Sequence, residues 1–110
     1  MTIEDFLLPG ENILYRSQGE VKYQGDTYRL CLTDRRIMWY KRKGLLLKSD
    51  KVITERMGEV REIHYEERGI VSRQGVIRIV TPSKIIEFSG SRSVMRDIYT
   101  FLQTLIGAPK

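Results

Sequence analysis

Apolar and polar residues alternate along several short stretches of this sequence, which is the pattern of β-strands with one buried face. The clearest case is Thr27 to Thr33, where Tyr28, Leu30 and Leu32 point to one face and the intervening residues to the other. Nine glycines punctuate the chain and separate such stretches. Closely spaced turn signals between short strands favour a small β-barrel or sandwich.

Seven strands are predicted from these stretches. They are expected within Ile13 to Val21, Thr27 to Thr33, Ile37 to Arg42, Lys51 to Met57, Glu59 to Arg68, Val76 to Val80 and Lys84 to Ser89. The fifth strand is irregular because Val60 is out of phase with Ile63 and Tyr65, which a bulge or a late start would explain. Before the first strand, Ile3 to Leu8 can form one helical turn packed on the sheet, ended by the Pro-Gly pair that follows.

The period changes to that of an α-helix after Ser91. The residues on its apolar face are Met95, Ile98, Leu102, Leu105 and Ile106, with Tyr99 at the flank. Ser91 or Ser93 can cap the start of this helix, and Gly107 with Pro109 can end it. A helix with one apolar stripe needs an apolar surface to cover, and an open barrel provides one. The predicted fold class is therefore mainly β with one C-terminal α-helix, a seven-stranded antiparallel barrel or sandwich capped by the helix.

Length and composition limit this fold to one domain. A chain of 110 residues fills one compact domain and not two, and its 41% apolar and 30% charged content is typical of folded proteins. The sole cysteine, Cys31, excludes an internal disulfide and is compatible with a reducing compartment. The sequence contains neither a signal-peptide pattern nor an apolar run long enough to span a bilayer. We therefore expect residues 1–110 to form a single domain that is cytoplasmic or peripheral at the membrane.

Catalytic and metal-binding patterns have little support in the sequence. It has no glycine-rich phosphate loop and no nucleophile elbow, and the only histidine, His64, has no Ser or Cys partner recognisable from the sequence. Glu62, His64 and Glu66 share one face of a predicted strand, but such a row is more often a solvated strand face than a metal site. We expect no catalytic residues, no metal, no cofactor and no small-molecule substrate, and therefore a binding function.

The positive charge of the chain favours an anionic partner. The net charge is +5 and the isoelectric point is near 9.5. Basic residues concentrate between Lys41 and Lys51, around the apolar triplet Leu45, Leu46 and Leu47. The candidate lipid- or anion-binding residues of this segment are Lys41, Arg42, Lys43, Lys48 and Lys51. The leucines can insert into an anionic bilayer while the basic groups contact its headgroups. At about 1 kcal/mol per basic residue, the segment would contribute roughly 3 to 4 kcal/mol of binding free energy, which corresponds to weak and reversible attachment.

Each of these basic features also has a purely structural interpretation. Strand alternation can bury Leu46, or else Leu45 and Leu47, in the core and leave the basic residues merely solvated. Arg35 and Arg36, in the turn after the second strand, are a candidate second basic site, but they can equally hold the turn by pairing with nearby acids. Nucleic-acid binding is disfavoured because acids interleave with the basic residues and no face gathers several aromatics.

Two short motifs give the chain a family resemblance. Leu8-Pro9-Gly10-Glu11 lies before the first strand, and Leu32-Thr33-Asp34-Arg35-Arg36-Ile37-Met38-Trp39-Tyr40 is followed by a basic loop that contains glycine. With the seven strands and the capping helix, these residues resemble the bacterial and archaeal pleckstrin-homology-like (PH-like) families and the related GRAM domains, over about residues 8–106. The resemblance implies a module that binds phospholipid membranes, proteins or its own copies. Phosphoinositide-binding members carry a basic signature after the first strand, whereas Lys22 to Asp26 holds one lysine and one aspartate.

The predicted function is a non-catalytic PH-like binding module that binds an anionic phospholipid surface or lipid headgroups weakly through Lys41 to Lys51. The alternative is a protein-interaction or self-assembly domain without lipid binding, in which a sheet edge, an exposed aromatic or the helix surface joins a protein partner or forms a homo-oligomer.

Overall fold

The computed structural model describes residues 3–43 and 49–106, except for the side chains of Arg42 and Lys43. This part of the chain forms a 3-10 helix Ile3–Phe6, strands β1 Ile13–Tyr23, β2 Asp26–Thr33, β3 Arg36–Lys43 and β4 Ser49–Arg56, a second 3-10 helix Met57–Glu59, strands β5 Glu62–Arg68, β6 Gln74–Val80 and β7 Ile85–Ser91, and helix α1 Arg92–Ile106. The predicted fold class, seven antiparallel strands and a C-terminal helix, is confirmed.

All seven strands lie in a single antiparallel sheet with the order β4-β3-β2-β1-β7-β6-β5. Strand β1 belongs to both halves of this sheet, because it pairs with β2 and its last residues, Lys22 and Tyr23, also pair with β7. Its register with β2 shifts in mid-strand. At the irregularity the buried hydroxyl of Ser17 accepts a hydrogen bond from the Leu30 N–H and donates one to the Gly19 carbonyl. These bonds satisfy backbone groups that the interrupted ladder leaves unpaired. The two halves of the sheet pack on each other as a sandwich.

The main hydrophobic core lies between the two halves of the sheet. The ring of Trp39 in β3 packs edge-on against that of Phe88 in β7, with centroids 5.5 Å apart, and lies 4.9 Å from the ring of Tyr23 in β1. These contacts join strands from opposite halves, so aromatic packing holds the sandwich closed.

Helix α1 covers the open side of this core. Its buried residues are Met95, Ile98 and Leu102, and Tyr99, Leu105 and Ile106 pack partly against the same cluster. The helix contacts β1, β5, β6 and β7, as the predicted capping role requires. Gly107 and Pro109, which are predicted to end the helix, lie outside the described residues. Among residues 3–43 and 49–106, no helix combines the length and apolar character needed to cross a membrane.

A second, smaller hydrophobic cluster lies on the other face of the sheet. Ile3 of the first 3-10 helix packs with Cys31 and Met38, which alternate with main-core residues along β2 and β3. The half-buried Tyr40 joins this cluster, with its ring 6.1 Å from that of Phe6. The helical turn predicted before the first strand is therefore present and covers the outer face of β2 and β3.

The predicted strands differ from the observed ones mainly at their ends. Strand β4 stops at Arg56, and the 3-10 helix Met57–Glu59 follows, so β5 begins at Glu62 and not at Glu59. Val60 lies in the connection between them and is buried in the main core. Val60 is out of phase with Ile63 and Tyr65 because it precedes β5. Of the two predicted explanations, a bulge and a late start of the strand, the late start is correct.

Candidate functional site

The predicted basic segment occupies the end of the β3–β4 hairpin. Outside the described residues lie Leu45, Leu46, Leu47 and Lys48, together with the side chains of Arg42 and Lys43. The register places Lys41 directly opposite Lys51 and ends with Lys43 opposite Ser49. The described part of the candidate site is therefore the base of the hairpin, where Lys41 and Lys51 face each other.

These two lysines have different surroundings. Lys41 is half-buried, and its ammonium group forms an ion pair with Asp26 at the start of β2. Lys51 is exposed, and its ammonium nitrogen lies 5.8 Å from the centre of the Tyr28 ring. Like charges directly opposite each other on a hairpin repel, so the carboxylate of Asp26 and the π-face of Tyr28 offset part of this repulsion. An anion bound at the same place would offset it further.

Arg35 and Arg36, the predicted second basic site, lie at the opposite end of β3. The Arg36 guanidinium donates hydrogen bonds to both carboxylate oxygens of Glu11, at 2.6 and 2.9 Å, and to the Phe6 carbonyl at 2.9 Å. Hydrogen bonding from Arg36 lowers the pKa of the solvent-shielded Glu11 carboxyl to about 2. Arg35 is exposed and donates to the Pro9 carbonyl at 3.2 Å. Arg36 thus pairs with a nearby acid, which is the structural alternative that the sequence left open.

The two motifs that carry the family resemblance meet at this turn. The buried Thr33 hydroxyl donates to Glu11 at 2.6 Å and accepts a hydrogen bond from the Arg36 N–H at 2.8 Å. The Asp34 N–H donates to the Asn12 carbonyl and the Asn12 N–H donates to the Asp34 carboxylate, both at 3.0 Å. We call these five residues the N-terminal clasp. The clasp ties the segment before β1 to the β2–β3 turn and so gives both motifs a structural role.

Cys31 and His64 carry side chains that can be reactive or can bind a metal, and the sequence predicts neither role for them. Burial raises the pKa of the Cys31 thiol to about 11, which keeps it protonated and unreactive near neutral pH. His64 is exposed, with Nε2 lying 2.9 Å from a carboxylate oxygen of Glu62. Within the described ranges, no three His, Cys, Asp or Glu side chains are grouped so as to hold a metal ion.

A surface feature that the sequence did not predict lies at the tip of the β5–β6 hairpin. Ile70 and Val71, in the loop between these strands, are each 98% exposed. They line an open cleft together with Arg73 and with Arg92 and Ser93 at the start of α1. The available signal is the Ile-Val pair itself, because two adjacent β-branched residues are unusual in a loop and typical of a strand.

The β1–β2 turn lies between the two hairpin ends. A shallow cleft of about 360 Å³ is lined by Lys22 near the end of β1, by Gln24 and Gly25 of this turn, and by Arg68 and Gln74 at the base of the β5–β6 tip. On the other side, the Asp26–Lys41 ion pair joins the same turn to the β3–β4 hairpin. The end of the β3–β4 hairpin and the base of the β5–β6 tip therefore both adjoin the β1–β2 turn.

Comparison with known proteins agrees with the architecture. The chain is similar to the crystal structure of a pleckstrin homology domain from Shewanella amazonensis SB2B, with a TM-score of 0.68 and 10% sequence identity over 96% of this chain and 93% of that chain. No family model and no curated protein matches the chain. The structural likeness confirms the PH-like fold that the motifs predict.

Proposed function

We propose that this PH-like domain is a non-catalytic binding module that attaches weakly and reversibly to anionic membrane surfaces through the end of its β3–β4 hairpin. The supporting observation is the direct opposition of Lys41 and Lys51 at the base of that hairpin. The register brings two lysines opposite each other, and Lys43 and Lys48 continue the basic segment in the sequence, so basic residues are concentrated at this end of the hairpin. Lipid phosphates at this position would relieve the repulsion between the lysines.

The strength of such attachment follows from the number of basic residues. Each contributes about 1 kcal/mol near an anionic surface, and added salt screens this attraction. We propose that Leu45 to Leu47 add apolar contact with the outer part of the bilayer. The domain would then act at the cytoplasmic face of a membrane as a peripheral protein, and several copies would be needed for firm anchoring.

Self-assembly through a sheet edge is the alternative function. In the sheet of the described residues, β4 and β5 are the two edge strands. The charged residues on these strands are Asp50, Lys51, Glu55 and Arg56 in β4, and Glu62, Glu66, Glu67 and Arg68 in β5. Charged side chains on an edge oppose the addition of another strand. The charged edges therefore disfavour self-assembly by addition of a strand.

Flotation with vesicles of neutral phosphatidylcholine, alone or mixed with anionic phosphatidylglycerol, tests the proposal at low and moderate salt. Wild-type protein is expected to float with the anionic vesicles only, and less at moderate salt. Lys43→Glu, Lys48→Glu and Lys51→Glu are each expected to weaken binding about tenfold or more, because each reverses one charge at the contact.

The matched control is Arg61→Glu. Arg61 is exposed, lies beyond the far end of β4 from the hairpin, and loses the same amount of charge on substitution. Equal weakening by Arg61→Glu would mean that net charge and not the hairpin drives binding. If wild-type protein fails to float and light scattering shows a discrete oligomer, the membrane proposal is wrong and self-assembly takes its place.

A further inference from the structure

We propose that the β5–β6 tip is a second membrane-contact element, in which Ile70 and Val71 enter the interface of an anionic bilayer while neighbouring arginines contact its headgroups. This inference rests on the proposed function, because its ligand is the same kind of lipid surface. It adds a contact that is independent of the β3–β4 hairpin.

The exposure of the two apolar side chains is built into the shape of the loop. Strands β5 and β6 are paired up to Arg68 and Gln74, so a short loop closes the hairpin. Gly69 has φ of +106°, and a Cβ at this position would lie 2.5 Å from the Ser72 carbonyl oxygen. Only glycine fits this turn without strain. The tight turn holds Ile70 and Val71 away from the core, and both remain 98% exposed.

The charge around the tip favours an anionic surface. The charged residues at its base are Arg68, Arg73, Arg92 and Arg96, with Glu66 and Glu67. Glu67 is shared, since Arg96 donates to it at 3.0 Å and Arg73 lies 3.9 Å from it. Arg68 is paired with Glu66 at 3.0 Å. The arginines outnumber the glutamates, so positive charge remains in excess beside the two apolar side chains.

The geometry suits a bilayer better than a protein partner. A protein interface needs a broad buried surface, whereas Ile70 and Val71 form a narrow projection. Apolar side chains that project beside basic residues are the arrangement by which peripheral proteins enter the headgroup region. The open cleft that the tip shares with Arg73 and Arg92 places the two kinds of group side by side.

A fluorescent label on the tip tests the inference directly. Val71→Cys can be labelled selectively with an environment-sensitive maleimide dye, because the native Cys31 is buried. With anionic phosphatidylglycerol vesicles, the dye is expected to shift to the blue and to be quenched by quenchers placed within the acyl chains. The control is Ile85→Cys, since Ile85 is 66% exposed. It lies at the other end of the β6–β7 ladder, about 20 Å away by strand rise, and is expected to show neither change.

Binding of unlabelled variants gives a second measurement. The double variant Ile70→Ser/Val71→Ser is expected to bind anionic vesicles roughly tenfold more weakly or worse, because two apolar side chains no longer leave water. Ile85→Ser, which removes an exposed apolar side chain elsewhere, is expected to bind as wild type does. The tip variants leave Gly69 and the core unchanged, so their thermal unfolding should match that of wild type.

The outcomes separate this inference from the proposed function. If wild type floats but the Val71 label is unchanged and the double variant binds normally, the tip inference is wrong and the hairpin proposal stands. If the Val71 label is quenched while Lys51→Glu binds as wild type does, the tip is supported and the hairpin proposal fails. A blue shift without vesicles, accompanied by a doubled mass in light scattering, would assign the tip to a second copy and overturn the inference.

Discussion

The carboxylate of Glu11 and the guanidinium of Arg36 form a bidentate ion pair, with N–O distances of 2.6 and 2.9 Å, that joins the segment before β1 to the first residue of β3. The side chain of Glu11 has no exposure to solvent, and that of Arg36 has little. Breaking a buried pair of this kind is costly because it leaves an uncompensated charge. In this PH-like domain, an arginine that looks like part of a basic surface therefore stabilises the fold.

Acid stability should report on this ion pair. The pKa of Glu11 is lowered from 4.5 to about 2 in the folded state, chiefly by the hydrogen bonds from Arg36. A lowered folded-state pKa contributes stability that is complete above the unfolded value and is lost as the pH falls through the folded value. The free energy of unfolding should therefore lose about 3 kcal/mol from Glu11 between pH 5 and pH 2. Denaturant unfolding monitored by circular dichroism at several pH values measures this loss.

Glu11→Gln is the variant that isolates the effect. It removes the titrating group, so its free energy of unfolding should be lower at neutral pH and should depend less on pH between 5 and 2. Other carboxyls whose pKa is lowered, such as Glu67 beside Arg96, remain in both proteins and cancel in the difference. Parallel pH profiles for the two proteins would contradict the role assigned to the clasp.

The close approach of α1 to β6 should make Gly75 intolerant of a side chain. A Cβ at Gly75 would lie 2.5 Å from the Met95 Cβ and 2.9 Å from the Tyr65 hydroxyl oxygen. Gly75→Ala is therefore expected to lower the free energy of unfolding by about 1 to 3 kcal/mol through overpacking. Chemical denaturation followed by the fluorescence of the buried Trp39 gives this value.

Gly58→Ala is the matched control for that substitution. A Cβ at Gly58 has no heavy atom within 4 Å, and the residue is not in the left-handed region. Its replacement should leave stability unchanged or slightly raised, because alanine restricts the unfolded chain. Equal losses in the two variants would show that the helix does not press on Gly75.

The single cysteine should be protected from thiol reagents. Burial raises the pKa of Cys31 from 9.0 to about 11, so the thiolate fraction at pH 8 is about a hundredfold lower than for a free thiol, and access is also blocked. Reaction with a chromogenic disulfide reagent should be slow in native buffer and rapid in denaturant. Val71→Cys should add one fast-reacting thiol in native buffer. Rapid reaction of wild type would contradict the packing of Cys31 between Ile3 and Met38.

Much of the fold could be predicted from the sequence because its signals are local. The two-residue period of Thr27 to Thr33 and the helical period from Met95 to Ile106 depend only on which side chains face the core. A strand end depends on more than period. Val60 illustrates this, because its side chain enters the core from the connection that precedes β5. The burial of Val60 is therefore determined by the packing of the whole domain and not by the alternation of residues along one strand.

The candidate site depended on tertiary structure to a greater degree. The sequence by itself determined the element order, the amphipathic helix, the motifs of the PH-like resemblance and the basic segment from Lys41 to Lys51. Only the folded chain decided that Arg36 pairs with Glu11, that Gly75 lies under α1, and that Ile70 and Val71 stand in solvent. The physical reason is that charge and hydrophobicity belong to a residue, whereas its partners and exposure are set by segments distant in the sequence that the sheet and helix bring beside it.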